Sequence, residues 1–153
     1  EKYAATLLKK YYDPYHKLIR KNLCNLKKTF GHAILVDIHS MPSKSFHNKK
    51  GDVDIVIGDN YGKSCSTEIR DYLLNFFKQN NLNVTLNIPY SGGFITRNYG
   101  QKKSGYHAVQ IEINKQLYMD ENNYKLNFNL EKLQKIFSKL FDEFLNVKKI
   151  AAE

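Results

Sequence analysis

The sequence predicts an α/β layered domain built on a mixed, mostly parallel sheet. Three observations carry that reading. Short apolar runs rich in branched residues, such as AILVDI at 33–38, have the signature of strands buried on both faces. These runs alternate with amphipathic stretches of helical period. The order that results is helix, strand, strand, helix, strand, long loop, strand, helix. The 153 residues suffice for one domain with its own core, and 1–153 is read as a single domain.

Each element has its own signal. Over 2–29, Tyr3, Leu7, Tyr11, Leu18, Ile19, Leu23 and Leu26 recur at roughly helical spacing. Pro14 interrupts this pattern, so a break or kink is expected near Asp13. Gly31 ends the helix as a C-cap. The strand at 33–38 carries one carboxylate, Asp37. Residues 41–50 are polar and read as a loop. A second strand covers 53–57 and runs into the turn Gly58-Asp59-Asn60. Ser66 or Thr67 caps a helix that reaches about Gln79, with Ile69, Tyr72, Leu73, Phe76 and Phe77 on one face. Asn80 and Asn81 stop it. Residues 84–88 form a third strand, ended by Pro89, and 108–113 form a fourth. Asn129 caps a last helix with Leu130, Leu133, Ile136, Phe137, Leu140, Phe141, Phe144 and Leu145 on its buried side.

Composition removes several function classes. A hydrophobic fraction of 42% and an aromatic fraction of 13% argue against disorder. No apolar run is long enough to span a bilayer, and the start has no signal-peptide hydrophobic region. The net charge of +9 raises the question of nucleic acid. The lysines are interleaved with acids and asparagines, and no helix-turn-helix, zinc-finger or RNP signature is present. A solvated basic surface that steers an anionic small molecule is expected instead. Cys24 and Cys65 match no metal or redox spacing, which fits reduced thiols and a cytoplasmic location. The first residue is Glu1 rather than methionine, which suggests a processed or truncated chain.

In parallel sheets the ligand site lies outside the carboxyl ends of the strands. His39, Asn87 and Glu112 all fall at or near strand ends and are expected to face one cleft. His39, within DIHS, has two readings: a zinc ligand whose other ring nitrogen is held by a carboxylate or carbonyl, or a plain hydrogen-bonding residue. Asp37 shares its side of the strand, because side chains alternate. It orients that ligand, binds metal itself, or is a structural acid. Glu112 lies inside the apolar strand AVQIEI. Burial of a carboxylate is costly, so it is either a general base of raised pKa or half of a buried ion pair, for instance with Arg97. Gln110 shares its face. Arg97 follows Gly92-Gly93 and Thr96, where a guanidinium can grip a carboxylate or simply sit in solvent. His107, His16, His32 and His47 have weaker claims. No HExxH, CxxC, GxSxG, P-loop or GxGxxG motif is present.

Five segments in order, YDPYH, HAILVDIHSMPS, DIVIGDNYG, NIPYSGGFITRNYG and GYHAVQIEINKQLYMDE, resemble the N-formylglutamate amidohydrolase family over roughly Tyr11 to Glu121. The resemblance implies a three-layer α/β/α sandwich like that of the zinc carboxypeptidases. It implies zinc-assisted hydrolysis of an N-formyl or N-acyl amino acid, with formylglutamate giving formate and glutamate in histidine breakdown. His39 then corresponds to a zinc ligand and Glu112 to the base that deprotonates water. Arg97 corresponds to the substrate carboxylate's partner, with Asn87, Thr96 and the glycine turn shaping the pocket. Family members have a further N-terminal portion that completes the zinc site, so the remaining ligands are expected there. Without it the chain is expected to self-associate. The alternative is a non-catalytic member of the same fold that serves as a binding module.

Overall fold

A computed structural model describes residues 2–44 and 53–146, with side chains over 3–44 and 53–144. His47, most of its loop, and the Leu145 side chain lie outside these limits.

The chain opens with helix α1 (Lys2–Leu7), a π-helical segment (Leu8–Tyr12) and helix α2 (Asp13–Phe30). At Asp13, where a break or kink is expected, the helix runs on through the end of a π segment. Pro14 has no N–H, and its ring crowds the carbonyl four residues back. The wider π turn, in which the Asp13 N–H donates to the Leu8 carbonyl, takes up that misfit while the helix runs on. Gly31 closes α2 as expected, with φ of 82° and its N–H on the Lys27 carbonyl at 2.8 Å.

Strands β1 (Ala33–Met41), β2 (Ile55–Gly58), β3 (Val84–Leu86) and β4 (Tyr106–Asn114) form one sheet in the order β1-β4-β2-β3. β1 pairs parallel with β4, and β2 pairs parallel with β3. β2 runs antiparallel to β4. The sheet is therefore mixed and mostly parallel. β1 and β4 extend beyond their expected ends, because Ser40, Met41 and Asn114 continue the ladder. Among the described residues β1 is an edge strand, and Ile38 on it is 45% exposed.

Helices cover both faces. On one side, α3 (Thr67–Gln79) and α5 (Leu130–Asn146) pack on the sheet. Ile69, Leu73, Phe76 and Phe77 meet Ile55, Ile57, Val109 and Ile111, with Leu133, Ile136 and Leu140 completing this core. Each such side chain contributes about 1.5–3 kcal/mol on burial. Ser66 caps α3 by accepting from the Ile69 N–H. On the other side, Leu23 of α2 and Tyr99 of α4 (Phe94–Tyr99) pack on Ala33 and Ala108. This is the expected α/β/α sandwich. Helix α4 lies in the stretch expected to be a long loop. The Gly-Gly pair before it punctuates the chain, and one and a half turns give little periodicity to read. A small hairpin of β5 (Met119–Asp120) and β6 (Lys125–Leu126) also went unforeseen, since two-residue strands carry no alternation.

Candidate active site

The alternation of β1 and β4 sorts one sheet face into two halves. Ala33, Leu35 and Ala108 belong to the apolar half that packs under α2 and α4. Farther along the same face come Asp37 and His39 on β1, beside Gln110 and Glu112 on β4. The register pairs Asp37 with Gln110 and His39 with Glu112. Four polar side chains thus converge toward the carboxyl ends of two parallel strands.

Their contacts form a chain. His39 Nε2 lies 3.1 Å from Asp37 Oδ2. An ionised carboxylate only accepts, so Nε2 is the donor of this contact and the second ring nitrogen, Nδ1, faces Glu112. That nitrogen lies 3.9 Å from Glu112 Oε1. Glu112 Oε1 also accepts from Gln110 Nε2 at 2.7 Å, and Gln110 Oε1 accepts the Gly93 N–H at 2.7 Å. The His39 side chain is 47% exposed and the Glu112 side chain only 8%. One group is open to a ligand and the other is sequestered. Burial pushes the Glu112 carboxyl above the ordinary glutamate range, with His39 and Gln110 opposing that shift and Asp37 adding to it. No arginine or lysine pairs with Glu112 among the described residues.

The glycine turn lies directly on the sheet. A Cβ on Gly58 would stand 2.8 Å from both Gly92 N and Ser91 C, so backbone rests against backbone there. From this turn α4 leads away, with Thr96 fully buried and Arg97 exposed. Arg97 Nη1 donates to the Gly92 carbonyl at 3.3 Å. Among the described residues the Thr96 hydroxyl has no hydrogen-bond partner, and it packs under Gly92.

Asn87 is placed differently from the other candidates. It follows β3, which runs opposite to β1 and β4, so its strand end does not coincide with theirs. Its φ is 61°, a conformation that asparagine tolerates. Its Nδ2 donates to Asp59 Oδ1 at 2.7 Å, and its Oδ1 accepts the N–H groups of Asp59 and Tyr61 at 3.0 and 3.4 Å. The amide is taken up in pinning the turn after β2. His16 and His107 have partners elsewhere. His16 is buried against Tyr12 and hydrogen-bonded to Tyr99, and His107 accepts the Ser66 N–H at the start of β4. Burial holds the His107 ring below the usual histidine range.

Sequence reasoning placed Gln110 on the right face without assigning it a partner. Its contact with Gly93 joins residues 17 apart and leaves no local pattern. Among the described residues no group of three His, Cys, Asp or Glu side chains is arranged to hold a metal ion. His39 and Asp37 therefore offer donors but do not by themselves close a three-ligand zinc site.

A family model described as N-formylglutamate amidohydrolase matches residues 1–119. An N-formylglutamate deformylase of Pseudomonas aeruginosa is 38% identical over 116 residues, which cover 74% of this chain and 44% of that protein. Its counterpart from Pseudomonas putida is 34% identical over 116 residues, covering 74% and 43%. The crystal structure of an N-formylglutamate amidohydrolase from Ralstonia eutropha JMP134 superposes with a TM-score of 0.84 at 25% identity, over 90% of this chain and 51% of that one. A gene product of Agrobacterium tumefaciens shares the fold at a TM-score of 0.57 and 21% identity, over 87% and 51%. The chain spans less than half the length of the curated relatives it matches. No helix among the described residues is long and apolar enough to cross a membrane.

Proposed function

The chain belongs to the N-formylglutamate amidohydrolase family, and from that premise we propose that it hydrolyses the amide of N-formyl-L-glutamate or a related N-acyl amino acid. Formyl substrate gives formate and glutamate. The observation that carries this reading is the buried Glu112 carboxyl, raised in pKa and 3.9 Å from a half-exposed His39.

The chemistry follows from that pair. Glu112 stands as a carboxylate whose affinity for protons burial has increased, which suits a general base near neutral pH. It takes a proton from a water in the cleft while the water oxygen bonds to the formyl carbon. As the tetrahedral adduct collapses, the C–N bond breaks and Glu112 returns the proton to the leaving nitrogen. Gln110 does not compete for that proton, because a carboxamide is not basic near neutral pH; its oxygen accepts from Gly93 and its nitrogen donates to Glu112. The proton is thereby directed into the cleft. Arg97, at the rim, takes a substrate carboxylate by paired hydrogen bonds. Thr96 supports the turn beneath it, and Asn87 acts at a distance through the Asp59 turn.

His39 is assigned as one ligand of a zinc ion, through Nδ1. Zinc, when bound, polarises a carbonyl and lowers the pKa of water. Asp37 holds the His39 ring in the required tautomer. The described residues do not complete the ligand set, so no step above depends on the ion. The partner is a small anionic substrate rather than nucleic acid, and the setting is cytoplasmic histidine degradation.

The test is formate release from N-formyl-L-glutamate together with zinc content, with His39→Ala alongside. In protein extended to carry the N-terminal portion expected to hold the remaining ligands, about one zinc per molecule and turnover that His39→Ala abolishes are expected for a catalytic site of this type. Turnover and zinc content unchanged by His39→Ala would overturn the assignment.

A further inference from the structure

We propose that Gln110 and the single peptide unit between Gly92 and Gly93 form a bridge that positions the base Glu112 relative to the substrate clamp Arg97. This rests on the hydrolase reading for the roles of the two ends. The bridge itself rests on geometry. The Gly93 N–H donates to Gln110 Oε1 at 2.7 Å, and the Gly92 carbonyl of that same peptide unit accepts from Arg97 Nη1 at 3.3 Å. Gln110 Nε2 then donates to Glu112 Oε1 at 2.7 Å. Three hydrogen bonds in series join guanidinium to carboxylate through one rigid plane.

The direction of every bond is fixed. A backbone N–H only donates, so it holds the Gln110 oxygen toward Gly93 and the amide nitrogen toward Glu112. Gln110 is 4% exposed, so water does not readily replace either partner. In a trans peptide the carbonyl and the N–H point in opposite directions, which sets Arg97 and Gln110 on opposite sides of the turn.

The peptide plane is locked as well. Gly92 has φ of +116°, and a Cβ there would meet Thr96 Cγ2 at 2.7 Å. A Cβ on Gly93 would meet Gln110 Oε1 at 3.3 Å. Thr96, fully buried, therefore wedges the turn from below. The far end of α4 is tethered separately, where Tyr99 bonds His16. Gln110 is a positioning residue in this scheme: it touches the base, not the substrate. Its consequence for catalysis is that a carboxylate gripped by Arg97 and the amide facing Glu112 stand at a spacing set by the bridge, where small displacements of reacting groups are costly.

The test has two arms. In NMR spectra of the chain, Gln110→Met, which keeps the side chain's length but removes both polar atoms, speeds Gly93 amide exchange at least tenfold. Gln110→Glu keeps an acceptor for Gly93 and leaves it protected. Arg97→Met shifts the Gly93 resonance, because the Gly92 carbonyl of the same peptide no longer accepts from the guanidinium. In turnover of N-formyl-L-glutamate, Gln110→Met lowers kcat about tenfold or more, of the order that misplacement of a reacting group produces. Its effect and that of Arg97→Met combine less than multiplicatively. Equal Gly93 exchange in wild type and Gln110→Met, or fully multiplicative kinetic effects, overturns the bridge. Gln110-dependent protection of Gly93 in a protein without any turnover instead overturns the hydrolase reading.

Discussion

Replacement of Asn87 by alanine separates a structural role from a substrate role. The Asn87 amide donates to Asp59 Oδ1 at 2.7 Å and accepts two backbone N–H groups, one of them long at 3.4 Å. Asp59 is 1% exposed, so its carboxylate cannot recover the lost donor from solvent. The Gly62 N–H on Oδ1 remains, and Arg70 stands 3.8 Å from Oδ2. A hydrogen bond to a buried charge is worth about 1.5–3 kcal/mol and the backbone bonds about 1 kcal/mol together. Alanine held at φ of 61° costs about 1 kcal/mol more. Asn87→Ala is therefore expected to lose about 4 kcal/mol of stability. Asn87→Gly removes the same side chain without the left-handed penalty, so it should be about 0.5–1 kcal/mol more stable than Asn87→Ala. Urea denaturation of the three proteins measures both differences. Substrate KM, per folded molecule, should change little, because the amide oxygen and one of its N–H groups are spent on the Asp59 turn. A loss below about 1 kcal/mol for Asn87→Ala, or a KM change at intact stability, would refute this reasoning.

Other predictions concern the site and its surroundings. Glu112→Gln should keep the fold and lower kcat by about 10²–10⁴-fold, as loss of a general base does; steady-state kinetics with circular dichroism would expose a different outcome. Because burial raises the Glu112 pKa in the folded state, the native protein holds the extra proton. Stability contributed by this group falls as pH rises from the ordinary glutamate value through the raised one. Melts across that window should show the fall in wild type and its absence in Glu112→Gln. Arg97→Met should raise KM for the anionic substrate about 10–100-fold, the equivalent of a charged hydrogen bond, and unchanged KM would remove Arg97 from the pocket. The free edge of β1 and the exposed Tyr3, Leu7, Leu8 and Leu18 of the opening helix should make the chain self-associate. Sedimentation velocity on wild type and on Ile38→Lys tests this, with a charge on the edge expected to reduce association.

Much of the architecture was legible because it follows local rules. Branched apolar runs marked all four strands of the main sheet, and Gly31 and Ser66 marked a helix end and a helix start. The convergence of His39 and Glu112 was legible for the same reason, since alternation and strand ends are local properties. What failed to show depends on contacts distant in sequence. The direction of β2 and β3 against β4 decides where Asn87 lies, and nothing near Asn87 encodes it. Pro14 marks a misfit, but no local pattern in the sequence encodes that a π turn rather than a break will meet it. Gln110 reads as one polar residue in a strand until Gly93 is brought over it.

The seat of the glycine turn on β2 has a further consequence. Where Gly58 meets Ser91 and Gly92, the wall of the cleft is main chain on main chain. Mutation can exchange side chains but not peptide groups, so this wall has no adjustable surface. Side-chain variation around this turn is therefore left to Arg97 and its neighbours on α4. The same contact spans 34 residues of sequence, from Gly58 to Gly92. The turn thus rests on a strand far from it in sequence, and its position is set by the sheet rather than by its own residues.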